Sequence, residues 1–128
     1  MITITLVRDD NKEIIEFWVT GHADYRDKGV VSLAGKDIVC AAVSAVVQTA
    51  VEGLKRYLPE QIHVKKDKGM LHVVINPVLF QPDNGEGTHK SSIILETMLL
   101  GLKRIEENYQ EHVRIAMTVE TQKFASLP

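Results

Sequence analysis

Residues 1–20 read MITITLVRDDNKEIIEFWVT, and this stretch decides the fold class. Its first half alternates apolar and polar side chains, which is typical of a half-buried strand over residues 2–7 with one apolar face: Ile2, Ile4 and Leu6. Residues 8–12 are polar and suit a turn. Residues 13–20 alternate again, with Ile15, Phe17 and Val19 opposite Ile14, Glu16 and Trp18. The two segments predict a β-hairpin and therefore antiparallel pairing.

The rest of the chain extends this hairpin into an α+β domain. Apolar spacing predicts a helix over residues 37–57 and a second helix from a Thr88 N-cap to residue 109, which places Glu106 in water. Strands are expected over residues 61–66, 70–76 and 112–119. The order ββαββαβ favours two layers, a mostly antiparallel sheet with two helices on one face. We expect one domain over residues 1–121 and a tail over 122–128.

Composition narrows the classes of function. The 128 residues are 45% hydrophobic and 25% charged, as in an ordinary soluble domain. A formal net charge of −2 argues against direct binding of nucleic acid, which needs a basic surface. One cysteine excludes an intramolecular disulfide, and no apolar run reaches about 18 residues. The expectation is a reduced, cytoplasmic protein without a membrane span.

The first helix carries a narrow polar stripe in apolar surroundings, formed by Asp37, Cys40, Ser44 and Gln48. Residues three and four apart share one face of a helix. Burying polar groups without partners is costly, so such a stripe suits the wall of a cleft. The apolar residues around the stripe predict that the first half of this helix is buried nearly all round.

Cys40 and His22 are the candidate reactive pair. A thiol in the first turn of a helix lies near unpaired N–H groups, which favour the thiolate and suit an oxyanion. His22 ends the second strand and leads into a loop over residues 21–36, and such long loops are often functional. A histidine beside a cysteine completes a nucleophile and base. Asp37 is either the helix N-cap or the group that orients His22, and its charge opposes the thiolate.

Other interpretations of these residues stay open at this point. A lone cysteine on an apolar helix is often a small buried hydrophobe, and the loop can be a surface excursion without function. His22, Asp24, Asp37 and Cys40 are zinc ligands by type, yet neither a CxxC pair nor an HExxH motif is present, so no metal or cofactor is expected. His63 and His72 are expected on the exposed surface.

The motif Gly21-His22-Ala23 followed by DIVCAAVS at residues 37–44 resembles the ribosomal-processing cysteine protease family, Prp. The resemblance extends over essentially the whole chain and includes the helix segment at residues 94–102. It implies a small α+β fold, a homodimer and a cysteine endopeptidase. The implied reaction removes an N-terminal extension from large-subunit ribosomal protein twenty-seven, supporting ribosome assembly.

The resemblance also implies roles for individual residues. His22 and Cys40 correspond to the catalytic pair, and Gly21, Asp37 and Ser44 are supporting residues. The substrate loop contains Ala23, Asp24, Tyr25 and Gly35. The tail sequence Phe124-Ala125-Ser126 is similar to the family's cleavage site, although chance explains so short a match equally well. The alternative function is a ribosome-associated module that binds a peptide or dimerises without cutting.

Overall fold

The computed structural model describes residues 1–21, 34–76 and 86–119, with the backbone alone for residues 34–37 and 86–89. Along the chain the elements are β1 (Ile2–Arg8), β2 (Ile14–Thr20), α1 (Ala34–Tyr57), β3 (Ile62–Asp67), β4 (Met70–Ile75), α2 (Glu86–Asn108) and β5 (Val113–Val119). This order confirms the predicted ββαββαβ arrangement. The two helices both begin earlier than expected, so Thr88 lies inside α2 and is not its N-cap.

The described strands form one sheet in the order β3-β4-β2-β1-β5. Its strands pair antiparallel, except that β5 pairs with β1 in parallel. The end of β1 at Arg8 and the start of β5 at Val113 are 105 positions apart in the sequence. Register aligns the apolar side chains into rows across the strands. One row joins Leu6, Phe17 and Val73, and the next joins Ile4, Val19 and Leu71. All six are buried, so this face of the sheet is the floor of the core.

The start of β2 departs from the alternation expected from the sequence. The β1–β2 register shifts so that Val7 pairs with Glu16 while Arg8 pairs with Ile14. This irregularity leaves Ile15 without a direct partner on β1, as in a β-bulge. It also turns the side chain of Ile14 toward the core. Ile14 therefore joins the core at 2% exposure, and the predicted placement of Ile15 with Phe17 and Val19 is wrong.

The helices form the second layer and cover the apolar face of the sheet. Val46 of α1 lies against Gly101 of α2, and Gly53 lies against Ile94, so the helices run antiparallel. α2 contacts β2 and β5. The helices bury apolar side chains against the sheet at helical spacing: Val39, Val43, Val47, Val51, Leu54, Leu95, Met98, Leu99 and Leu102. The α+β fold with both helices on one face is confirmed.

The outer side of α1 is more exposed than the sequence predicted. Ile38 is 60% exposed, and Ala41 and Ala45 are also exposed, so burial all round this half of the helix is wrong. By length and composition alone, the span Ile38–Tyr57 is apolar enough to cross a membrane. The core helix of a soluble protein passes the same test, and six described residues of α1 lie in the core at 2% exposure or less.

Two polar contacts fasten α2 to the sheet. Arg8 at the end of β1 donates two hydrogen bonds to the Glu96 carboxylate, at 2.5 and 3.1 Å. The hydrogen bond that Arg8 donates to Glu96 raises the pKa of Arg8. Glu106 accepts a hydrogen bond from the Ile115 N–H of the edge strand β5 at 2.7 Å. Glu106 is therefore half-buried and does not simply face water as predicted.

Candidate active site

Gly21 ends β2 in a conformation that other residues rarely adopt. Its φ angle is +88°, and an added Cβ would overlap the carbonyl oxygen of Met1. Its N–H donates a hydrogen bond to the Gly69 carbonyl at 3.1 Å. A glycine is therefore required where the chain leaves the sheet. The next residue is His22, which lies outside the described residues together with Ala23, Asp24 and Tyr25.

Cys40 is the seventh residue of α1, on the side that faces the core. It is 2% exposed and lies between the buried Val39 and Val43 in the same apolar cluster. Further along the predicted stripe, Ser44 and Gln48 are half-buried. The described part of the stripe thus follows the border between the core and solvent, with Cys40 at its buried end.

The start of α1 corrects the sequence prediction for Asp37 and Cys40. The helix begins at Ala34, so Asp37 is its fourth residue and not its N-cap, and Gly35 belongs to the helix and not to the loop. The N–H groups without an intrahelical partner are those of the first four residues. Cys40 is therefore one turn beyond them. Because the dipole effect fades within the first turn, it favours a Cys40 thiolate less than expected.

The structure does not test the contact between His22 and Cys40, or that between Asp37 and His22, since the side chains of His22 and Asp37 lie outside the description. Within the described residues, no three histidine, cysteine or acidic side chains come together in a way that could hold a metal ion. Three of the four zinc ligands considered by type have side chains outside the described part of the chain: His22, Asp24 and Asp37. The sequence segment Phe124–Ser126 is likewise outside the description.

The open face of the sheet carries a polar cluster that the sequence prediction missed. His72 stacks on Trp18 with ring centroids 4.5 Å apart and planes 3° apart. Its Nε2 atom lies 2.6 Å from the Glu16 carboxylate. His72 is half-buried, so its predicted placement on the exposed surface is wrong, whereas His63 is exposed as predicted. Only the β2–β4 register brings these side chains together, and one sequence does not reveal that register.

Comparison with known proteins shows that this chain is similar to cysteine proteases. The family model described as cysteine protease Prp matches residues 1–114. The ribosomal processing cysteine protease Prp of Staphylococcus aureus (strain Mu50) is 31% identical over 90% of this chain and 97% of its own length. The protein of the same description from Bacillus subtilis (strain 168) is 30% identical, covering 93% of this chain and 99% of its own length.

A solved structure gives the same relationship in three dimensions. The essential ribosomal processing protease Prp from S. aureus, crystallised in complex with a substrate peptide, superposes with a TM-score of 0.70 at 30% identity. The match covers 91% of this chain and 99% of the other. Both Gly21 and Cys40 lie within the residues matched by the family model.

Proposed function

Because the chain belongs to the cysteine protease Prp family, we propose that it is the endopeptidase that removes the N-terminal extension of large-subunit ribosomal protein twenty-seven. The observation that carries this proposal is the match over residues 1–114, which contains both His22 and Cys40. The S. aureus relative was crystallised with a substrate peptide, which supports a peptide as the bound partner here. The extension of protein twenty-seven is the substrate that the motif resemblance implies.

The proposed reaction uses the two side chains in turn. His22 accepts the proton of the Cys40 thiol, and the sulfur attacks the scissile carbonyl carbon to give a tetrahedral oxyanion. Hydrogen-bond donors around the carbonyl stabilise that oxyanion. His22 returns the proton to the leaving amine, which breaks the C–N bond and leaves an acyl-enzyme. Water then hydrolyses the thioester and regenerates Cys40.

The burial of Cys40 favours a second candidate function. At 2% exposure the sulfur must become accessible before it can attack a peptide. A ribosome-associated module that binds a peptide or dimerises without cutting has no such requirement. Under that alternative, Cys40 is a core residue that resists alkylation both with and without a peptide. Under the protease proposal, binding of a peptide brings the sulfur and the scissile carbonyl together.

Cleavage of a peptide that spans the extension junction, followed by mass spectrometry, separates the two functions. Wild type should release both fragments, whereas Cys40→Ala and His22→Ala should release none. Thr49→Ala is the control, because Thr49 is exposed on the same helix and donates a hydrogen bond to the Ala45 carbonyl within that helix. Intact peptide after incubation with folded wild type would refute the protease proposal, and full cleavage by Cys40→Ala would refute the assigned nucleophile.

We also propose a homodimer in the cytoplasm, as the family resemblance implies. The outer side of α2 offers exposed apolar area, with Leu100 at 65% and Ile93 at 53% exposure, while Leu99 is buried. Sedimentation of wild type and Leu100→Glu tests a dimer through this surface. Gln110→Glu adds the same charge at an exposed position after the end of α2 and serves as the control. A wild type that sediments as a monomer at micromolar concentration would contradict the dimer.

A further inference from the structure

The sheet has two edge strands, β3 and β5, and they differ in what they offer to another chain. On β5, the Val113 N–H donates to the Tyr109 carbonyl at 3.1 Å. The Ile115 N–H donates to the Glu106 carboxylate at 2.7 Å. An edge pairs with a further strand through N–H and C=O groups that have no partner. Because α2 and the residue after it already use these two donors, the first half of β5 is closed to strand addition.

The backbone of β3 turns its free hydrogen-bonding groups away from the sheet. The Asn76 N–H donates to the Gln61 carbonyl, and from this pair the β3–β4 register places every second residue in a hydrogen-bonded pair. The residues between them point their N–H and C=O groups outward: Ile62, Val64 and Lys66. Within the described part of the chain, no hydrogen bond reaches these outward groups. The edge at β3 is therefore open.

A hollow of about 480 Å³ lies beside this open edge. Ile62, Val64 and Lys66 of β3 line it, together with Lys55 near the end of α1 and Pro59 just after that helix. The isoleucine and the valine are half-buried and pack against the core, whereas both lysines are exposed. Side chains of a strand alternate between the two faces of a sheet, so every second side chain of an added strand would enter the hollow. There it would meet an apolar floor and two ammonium groups.

Charge around β3 favours an acidic strand over a second copy of this chain. Residues 55–60 and 62–69 together contain five lysine or arginine residues and two acidic residues. One of the two, Asp67, accepts the Lys68 N–H at 2.8 Å within the turn. Lysines on an edge oppose pairing with another copy, because like charges that face each other across strands are destabilising. Carboxylates at the same positions are attracted instead.

We propose that β3 is a docking edge for an extended acidic peptide, which adds an antiparallel strand to the sheet. Residues of the peptide opposite Ile62 and Val64 are apolar, and the residue opposite Lys66 is acidic. Backbone hydrogen bonds supply affinity in such strand addition, and pockets for alternate side chains supply specificity. Lys55 is fifteen residues beyond Cys40 on α1, roughly 22 Å in a helix that rises 1.5 Å per residue. Docking therefore does not require the proposed protease activity.

Titration of the full chain into a labelled peptide tests the charge requirement. The probe is Thr-Glu-Thr-Val-Glu-Val-Thr-Thr with blocked termini, and fluorescence anisotropy at about 0.15 M salt measures its Kd. Wild type should bind saturably. Lys55→Glu and Lys66→Glu should each raise Kd by about 5-fold or more, because attraction becomes repulsion. Lys103→Glu is the matched control: it makes the same charge change at an exposed position on α2, the helix that contacts β2 and β5, and should leave Kd unchanged.

N-methylated peptides test the backbone pairing without changing the protein or the charge. In the proposed register the first valine of the probe lies opposite Val64, so its N–H points at β3, whereas the N–H of the second glutamate points away. Methylation at the valine should raise Kd by about 10-fold or more, and methylation at the glutamate should not. In nuclear magnetic resonance the probe should shift the amide signals of Ile62, Val64 and Lys66 and leave that of Ile115 in place.

Four results would overturn the docking edge. They are the absence of saturable binding, equal effects of the two methyl groups, equal losses in Lys66→Glu and Lys103→Glu, and amide shifts at Ile115 in place of those on β3. Equal affinity for a scrambled peptide, or for a single-stranded oligonucleotide of the same charge, would show a general attraction of anions and would exclude strand addition.

Discussion

Replacing Gly53 with alanine should stabilise the protein. Gly53 lies inside α1, where glycine costs about 0.8–1.0 kcal/mol relative to alanine because more backbone freedom is lost on folding. An added Cβ would lie 3.7 and 3.9 Å from two carbon atoms of Ile94, which is ordinary van der Waals contact. The new methyl group therefore fits without displacing α2. It also buries some apolar area, worth at most about 0.8 kcal/mol and less at this half-buried position.

The expected gain is about 1 kcal/mol, or a rise in Tm of roughly 3–6 °C for a chain of this size. Thermal unfolding followed by circular dichroism measures it, with urea unfolding as an independent estimate. Gly101→Ala is the comparison, because its Cβ would lie 3.4 Å from Cγ1 of Val46, a stiff β-branched side chain. Its gain should be smaller. A Gly53→Ala protein with unchanged or lower Tm, or with a smaller gain than Gly101→Ala, would refute the packing argument.

Three further substitutions test the polar contacts. Glu96→Gln should lower stability by about 0.5–1 kcal/mol, because the pair is partly exposed, and high salt should reduce the difference; urea unfolding measures it. Since Glu96 raises the pKa of Arg8, the stabilisation linked to Arg8 is present below the ordinary pKa of arginine and is lost as the pH rises through the raised pKa. Glu106→Ala should speed amide exchange at Ile115, whose N–H loses its acceptor, and unchanged protection there would contradict the contact. His72→Ala should shift Trp18 emission to longer wavelength, since water replaces the stacked ring; Trp18 is the only tryptophan, so an unchanged spectrum would exclude the stacking.

Local patterns predicted the elements of this fold because each depends on near neighbours in sequence. The alternation in β1 and the spacing of Leu95, Met98 and Leu102 in α2 follow directly from burying one face of a strand or helix. The bulge at Ile15 was missed, since it depends on how β1 and β2 pair and not on composition. The early start of α1 was missed because residues 34–36 carry no apolar periodicity that marks a helix.

Less of the candidate site than of the fold could be predicted from the sequence. His22 and Cys40 were found by residue type and by resemblance, and their contact stays a prediction. The residues that hold Gly21 were not found, because Met1 and Gly69 act through carbonyl groups that every residue has. The burial of Cys40 was weighed but not assigned, as helical spacing alone cannot tell which side of a polar stripe meets the sheet.

The parallel pairing of β1 with β5 has a consequence for how the molecule forms. The first strand of the chain finds its outer partner only after the last strand has been made, and such distant contacts slow folding because a long loop must close. The hydrogen bond from Ile2 to His112 forms in the same event, and it holds the Met1 carbonyl against Gly21. During synthesis the restraint on Gly21 therefore cannot be completed until β5 has been made, and local opening of β5 would release it.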